Sequence, residues 1–208
     1  MSKNNPILQV KDLTVSFNAF AGKVQAVRGV SFDLNKGETL CIVGESGSGK
    51  SVTNKAIMGI LSKNAVIDRG EILYDGMDLT KLTEEQFCQI RGKRIAMVFQ
   101  DPLSALNPIM KVGKQITETL CVHQKLSHEQ AKKRALELMA AVGIPEPEKR
   151  FNQYPFQFSG GMRQRIVIVI ALACNPEILI CDEPTTALDV TIQSKILDLI
   201  KEIKQERN

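Results

Sequence analysis

The stretch Gly44-Glu45-Ser46-Gly47-Ser48-Gly49-Lys50-Ser51 constrains this 208-residue chain more than any other. Its residues fit the pattern G-x-x-x-x-G-K-[ST], and the flanks fit too, with apolar Leu40–Val43 before and helix-forming Val52–Leu61 after. A short apolar run ending in glycine reads as a buried central strand. Glycines, having no Cβ, let successive backbone N–H groups converge on phosphate oxygens, and the following helix adds the favourable end of its dipole. The loop is therefore expected to bind ATP through Gly44, Glu45, Ser46, Gly47, Ser48, Gly49, Lys50, Ser51 and Val52. Lys50 reaches the β- and γ-phosphates in such a site, and the Ser51 hydroxyl ligates Mg²⁺.

A second apolar run, Ile178–Cys181, leads into Asp182-Glu183. Carboxylates at the C-terminal end of a parallel strand stand where α/β sheets hold their ligands. Asp182 suits Mg²⁺, and Glu183 is placed to take a proton from an attacking water or to orient it. Gln100 follows another strand-like run, Arg94–Phe99, and suits a Mg²⁺ ligand or a water-positioning group; taken alone it is an ordinary turn residue.

The rest of the chain supplies a frame for these motifs. Leu8 and Val10, then Leu13, Val15 and Phe17, and later Val30, Phe32 and Leu34 recur at spacing two, the period of half-buried strands. Gly70–Tyr74 followed by Asp75-Gly76 reads as a strand and turn. Ser127–Val142 is the clearest helix, with a capping box at Ser127 and Gln130, an apolar face through Ala131, Ala135, Leu138, Met139 and Val142, and a stop at Gly143 and Pro145. Between Pro102 and Pro155 the signals are helical, which points to a helical lobe inserted into an α/β domain. Ile166–Cys174 conflicts with that pattern, because its Ile/Val content favours a strand.

Composition excludes several classes. Hydrophobic residues make up 43% and charged ones 24%, so the chain can bury a core and is not disordered. The net charge of +4 is not gathered into a stripe; Arg91–Arg94, Lys132–Arg134 and Arg163–Arg165 read as solvated helix faces and local phosphate contacts. Cys41, Cys88, Cys121, Cys174 and Cys181 are widely spaced, which argues against a disulfide or zinc scaffold. The longest apolar run, Ile166–Cys174, is far below the roughly 20 residues that a membrane span needs.

The segment Ser159-Gly160-Gly161-Met162-Arg163-Gln164-Arg165, a short interval before Asp182-Glu183, resembles the signature motif of ATP-binding-cassette (ABC) ATPases. Three longer strings narrow the resemblance. Gln100-Asp101-Pro102 with Leu106-Asn107-Pro108, Tyr154-Pro155 running into that signature, and Asp182-Glu183-Pro184-Thr185-Thr186-Ala187-Leu188-Asp189 are similar to the ATP-binding subunits of dipeptide, oligopeptide and nickel importers. Met162, where most of the family has Gln, is the usual form in that subfamily. The resemblance runs from about Leu8 to the C-terminus. It implies an α/β P-loop NTPase core with an N-terminal antiparallel β subdomain and an inserted helical subdomain. Residues 1–100 and 176–208 would form the core and residues 101–175 the helical lobe. It also makes Ile166–Cys174 a buried helix opened by the signature.

Further roles follow from the resemblance alone. Two such domains pack head to tail, so Ser159, Gly160, Gly161 and Met162 would serve ATP bound mainly to a second ABC ATPase subunit, identical or different. Asp189 would lie at the dimer seam, and Gln100 would link the γ-phosphate and Mg²⁺ to the lobe that meets the transporter. Phe17 stands where the family has its adenine-stacking aromatic; Phe20 is a second candidate, and a strand-core role is the competing reading of Phe17. Two membrane permease subunits and, indirectly, an extracellular binding protein complete the expected partners, at the cytoplasmic face of a membrane and without nucleic acid. The family's switch histidine lies beyond Asn208. His123 and His128 are expected to be surface residues of the lobe, and the chain is expected to be C-terminally truncated and a weak hydrolase by itself. Family members continue into a C-terminal region that can carry cysteines for an iron–sulfur cluster. An ABC ATPase acting in DNA repair or translation, a nickel importer subunit and a non-hydrolysing regulatory subunit are the alternatives.

Overall fold

The structure, a computed structural model, describes residues 6–20 and 22–183. The chain divides into two compact units, Met1–Cys88 and Gln89–Asn208.

In the first unit, β1 (Leu8–Ala19), β2 (Gly22–Leu34), β3 (Ala65–Tyr74) and β4 (Met77–Asp78) form an antiparallel sheet in the order β2-β1-β3-β4. The change of parity in the apolar pattern of β1 has a structural cause. Register shifts on both sides of β1 fall between its Val10/Lys11 end and Leu13/Thr14, around Asp12. The irregularity lets Leu8 and Val10, and then Leu13 and Val15, all be buried. Asp12 itself has φ 48°, its N–H donates to Ser31 Oγ at 2.8 Å, and its carboxylate pairs with Arg69 at 2.9 Å. Gly70 crosses it so closely that a Cβ there would lie 2.5 Å from the Lys11 carbonyl oxygen.

β3 begins five residues before the predicted Gly70, because Ala65–Arg69 also pair with β1. Asp68 among them is held by Lys23 and by Ser16 Oγ at 2.5 Å, and these hydrogen bonds keep its carboxyl below the usual carboxylate range. Asp75-Gly76 closes the two-residue β3–β4 hairpin with both φ angles positive, as a tight hairpin turn requires. α1 (Lys50–Ile57) and most of α2 (Glu84–Ile90) complete the unit.

One sequence expectation fails here. Leu40–Val43 is not a buried strand: among the described residues it pairs with no strand, and Leu40, Ile42 and Val43 are 40%, 42% and 87% exposed. A lone extended segment has no ladder to fix it, so apolar composition by itself does not make a strand.

The second unit holds a parallel pair, β5 (Ile95–Val98) and β6 (Ile178–Cys181), locked in register at their start by the Arg94–Glu177 ion pair. α7 (Gly160–Leu172) packs on it, α3 (Pro102–Ala105), α4 (Val112–Gln124) and α5 (His128–Ala141) pack on α7, and α6 (Pro147–Arg150) on α5. Their shared core runs through Val98, Val112, Ile116, Leu120, Met139 and Ile166. α5 has the predicted capping box, with Ser127 Oγ accepting from Gln130 N and the Gln130 side chain accepting from Ser127 N. Ala131, Ala135 and Met139 are fully buried on its inner face.

α7 is helical despite its Ile/Val run. Ile166, Val167, Ile168 and Val169 are all buried, and a helix apolar around its whole circumference belongs inside a core. Tertiary burial therefore outweighs a β propensity worth only about 1 kcal/mol in total range. Two polar residues also depart from the surface reading. Arg165 donates to the carbonyls of Gly143 at 3.0 Å and Val142 at 3.5 Å, satisfying the C-terminal end of α5. His123 is half-buried on α4 and approaches Gly92, and burial, with Lys93 nearby, lowers its imidazole pKa.

Candidate functional site

The Gly-rich loop belongs to the first unit and feeds directly into α1, whose first residue is Lys50. Gly49 precedes the helix with φ 94°, and a Cβ there would sit 2.6 Å from the Ala26 carbonyl oxygen on β2. The helix therefore starts against the sheet, and only glycine allows both the backbone angle and the approach. Lys50 Nζ donates to the carbonyls of Gly44 at 2.8 Å and Glu45 at 3.0 Å, so its ammonium lies over the loop. Thr53 is buried, and its hydroxyl donates to Gly49 O at 3.0 Å, tying the first turn to the loop. Ser51 and Val52 are half-buried in that turn, while Gly44, Glu45, Ser46, Gly47 and Ser48 are exposed.

Replacement of Gly49 by Ala should destabilise the first unit by roughly 2 kcal/mol or more, from the left-handed backbone together with the clash at Ala26. Urea unfolding monitored by circular dichroism checks this. An unchanged midpoint would contradict the packing described.

Phe17 is half-buried near the end of β1, opposite Val24 of β2 and Ala65 of β3, whereas Phe20 stands fully in solvent beyond the strand. The partial exposure of the Phe17 ring is compatible with both the stacking and the strand-core reading.

The second unit brings two predicted residues together. Gln100 leaves β5 and Glu183 leaves β6 at the same end of the parallel pair, and Gln100 Nε2 donates to Glu183 Oε2 at 2.9 Å. Asp182 is 6% exposed, and its N–H donates to Val98 O at 3.0 Å, extending the ladder by one residue. Glu183 has φ 48°, left-handed for a residue with a side chain. Oxygen donors from Ser51, Gln100 and Asp182 are of the hard type that Mg²⁺ prefers. The sequence suggested each of these residues separately, but the Gln100–Glu183 contact required the parallel register of β5 and β6.

Ser159 caps α7, its Oγ accepting from Met162 N at 3.4 Å. Gly160 is exposed, and a Cβ built on it would meet nothing within 4 Å among the described residues. Gly161 and Met162 are half-buried in the same turn. Gln164 was not singled out by its motif position alone; it is 2% exposed, and its Nε2 has no hydrogen-bond partner among the described residues. Asp189 lies outside the described residues.

The chain is similar to known proteins along most of its length. The family profile described as "ABC transporter" matches residues 27–186. The oligopeptide transport ATP-binding protein OppD of Bacillus subtilis is 61% identical over 201 residues, covering 96% of this chain and 56% of that protein. The dipeptide transport ATP-binding protein DppD of Lactococcus lactis is 58% identical over 203 residues, covering 97% of this chain and 58% of that one. The chain thus spans little more than half the length of these curated relatives. Among solved structures, the dimeric post-hydrolysis state of the ATP-binding cassette MJ0796, bound to ADP and Pi, superposes with a TM-score of 0.86 at 31% identity. That match covers 96% of this chain and 84% of the cassette.

Proposed function

This chain belongs to the ABC transporter family, and from that premise we propose that it is the ATP-binding and ATP-hydrolysing part of an importer subunit for dipeptides or oligopeptides. The observation that carries the reading is the loop Gly44–Gly49 leading into α1, with Gly49 pressed on Ala26 and the Lys50 ammonium over the loop carbonyls. The exposed glycine loop, in which a Cβ at Gly44 would lie 2.7 Å from Ser48 Oγ, fits the triphosphate of ATP. Phe17 stacks on the adenine in this reading.

Ser51, Gln100 and Asp182 would hold Mg²⁺, which supplies charge neutralisation on the β- and γ-phosphate oxygens. Lys50 exchanges its contacts with Gly44 and Glu45 for phosphate oxygens and stabilises charge there. Glu183 orients the attacking water and accepts its proton, and Gln100 fixes the direction of the Glu183 carboxylate. Ser159, Gly160, Gly161 and Met162 face nucleotide held by a second ABC ATPase subunit. The open space around Gly160 supports this, because no contact among the described residues requires glycine there. Asp189 lies at the seam between the two subunits in the same reading.

We read residues 1–100 and 176–208 as the ATPase core with its β subdomain, and residues 101–175 as the helical lobe that meets two membrane permeases. The subunit then works at the cytoplasmic face of the membrane, with an extracellular binding protein as indirect partner. The names of the relatives favour peptides over nickel and over nucleic-acid substrates.

Lys50→Ala tests the central claim. It removes the charged contact to the β- and γ-phosphates, and ATP affinity is expected to fall by roughly 10²-fold, the scale of one charge-assisted interaction of about 3 kcal/mol. Titration with a fluorescent ATP analogue measures it. Unchanged affinity would remove Lys50 from the site. Salt-dependent DNA or RNA binding at low micromolar affinity would instead favour the nucleic-acid alternative.

A further inference from the structure

Cys121 is set apart from the other four cysteines by its neighbours. Its Sγ lies 3.9 Å from Nδ1 of His128, across the turn between α4 and α5. Cys174 and Cys181 are held as thiols by burial, which pushes the Cys181 thiol up to about 11 and raises that of Cys174. Cys41 and Cys88 are exposed. Cys121 is half-buried, so it is reachable but screened, and His128 is exposed beside it.

The pair opens into a groove of about 510 Å³ between α4, α5 and Phe151. Val122 and Phe151 give the groove an apolar wall, and Lys114 and Lys132 give it two ammonium groups against one carboxylate, Glu118. Lys132 Nζ lies 5.8 Å from the centre of the Phe151 ring, so charge and apolar surface are side by side. A nucleophile, an adjacent base and a groove of this lining make a reaction site of a recognisable kind.

We propose that Cys121 and His128 form a thiol–disulfide exchange site that takes a small, carboxylate-bearing organic disulfide into this groove. His128 Nδ1 accepts the Cys121 thiol proton, and the thiolate attacks one sulfur of the disulfide. The disulfide's S–S bond breaks as the bond to Cys121 Sγ forms. The departing thiolate carries off the electron pair and takes the proton back from His128. Cys121 is oxidised to a mixed disulfide, and the other half of the ligand is reduced to a free thiol. Lys114 and Lys132 select the anionic ligand, and the wall of Val122 and Phe151 holds its organic body.

The test treats the intact chain with a limiting amount of dithiobis-nitrobenzoate, a dianionic disulfide, and maps the modified cysteines by mass spectrometry over time. Glutathione disulfide and the dicationic disulfide cystamine are run in parallel. Cys121 should react about ten-fold faster than Cys41 or Cys88 with the anionic probes, and His128→Gln should bring it down to their rate. Combined Lys114→Gln and Lys132→Gln replacement should erase the preference for anionic over cationic disulfide. Reaction of Cys174 or Cys181 would report unfolding of a variant, and the anionic-to-cationic ratio in the unmodified chain then decides. Cys121 reacting no faster than Cys41 and Cys88, a rate indifferent to His128→Gln in a folded variant, or a ratio near one would overturn the proposal.

Discussion

Glu183→Gln is expected to lower ATP turnover by roughly 10²–10⁴-fold while leaving ATP affinity within about two-fold of the parent. The amide is nearly isosteric with the carboxylate, and its oxygen can still accept from Gln100 Nε2, the contact recorded at 2.9 Å. The turn after β6 therefore keeps its shape, and only the capacity to hold a proton is lost. Phosphate release in the assembled transporter and nucleotide binding by the chain separate the two effects. Near-normal turnover would remove Glu183 from the role of base, and lost binding together with lost turnover would indicate a structural role instead.

Gly160→Asp is expected to separate stability from activity in the opposite sense to Gly49→Ala. An aspartate in the first turn of α7 complements the helix dipole, and replacing helical glycine removes an entropic penalty; each contributes about 0.5–1 kcal/mol. A Cβ at Gly160 meets no other part of the described residues within 4 Å, so the unfolding midpoint should hold or rise. Activity should nevertheless fall by more than about 10²-fold if the composite site proposed above holds, because the carboxylate would then face the γ-phosphate of nucleotide held by the second subunit. The paired measurement is urea unfolding of the chain and ATPase activity of the assembly. A stable variant with full activity would detach the Ser159–Met162 turn from the composite site, and loss of both properties would mean that Gly160 serves the fold.

The sequence was most legible where a structural element is determined by residues close together in the chain. The capping box of Ser127 and Gln130 predicts the start of α5, whereas the helix of α7 followed from the family resemblance and not from local residues, whose Ile/Val content favours a strand. β6 occupies the predicted Ile178–Cys181 because its apolar run is bounded by Pro176 and by Asp182. Legibility failed where distant segments decide. Leu40–Val43 has strand composition, but a ladder partner is a property of the sheet and not of the segment. The parity change in β1 is visible in Leu8, Val10, Leu13 and Val15, yet the bulge at Asp12 depends on Gly70, far along the chain. In the site, the loop glycines and the Asp182-Glu183 pair were readable as motifs. The lysine's hold on Gly44 and Glu45 and the Gln100–Glu183 contact were not, since both depend on side-chain direction and strand register.

The left-handed backbone at Glu183, φ 48°, bears on how this position evolves. A residue with a Cβ held in that conformation costs on the order of 1 kcal/mol, and glycine or asparagine adopts it with far less strain. Selection for thermal robustness alone would therefore favour Gly or Asn after Asp182. On the role proposed for Glu183 above, the carboxylate trades robustness for chemistry. Stability-guided engineering of this chain would tend to choose position 183 for improvement, and in doing so would remove the base proposed above.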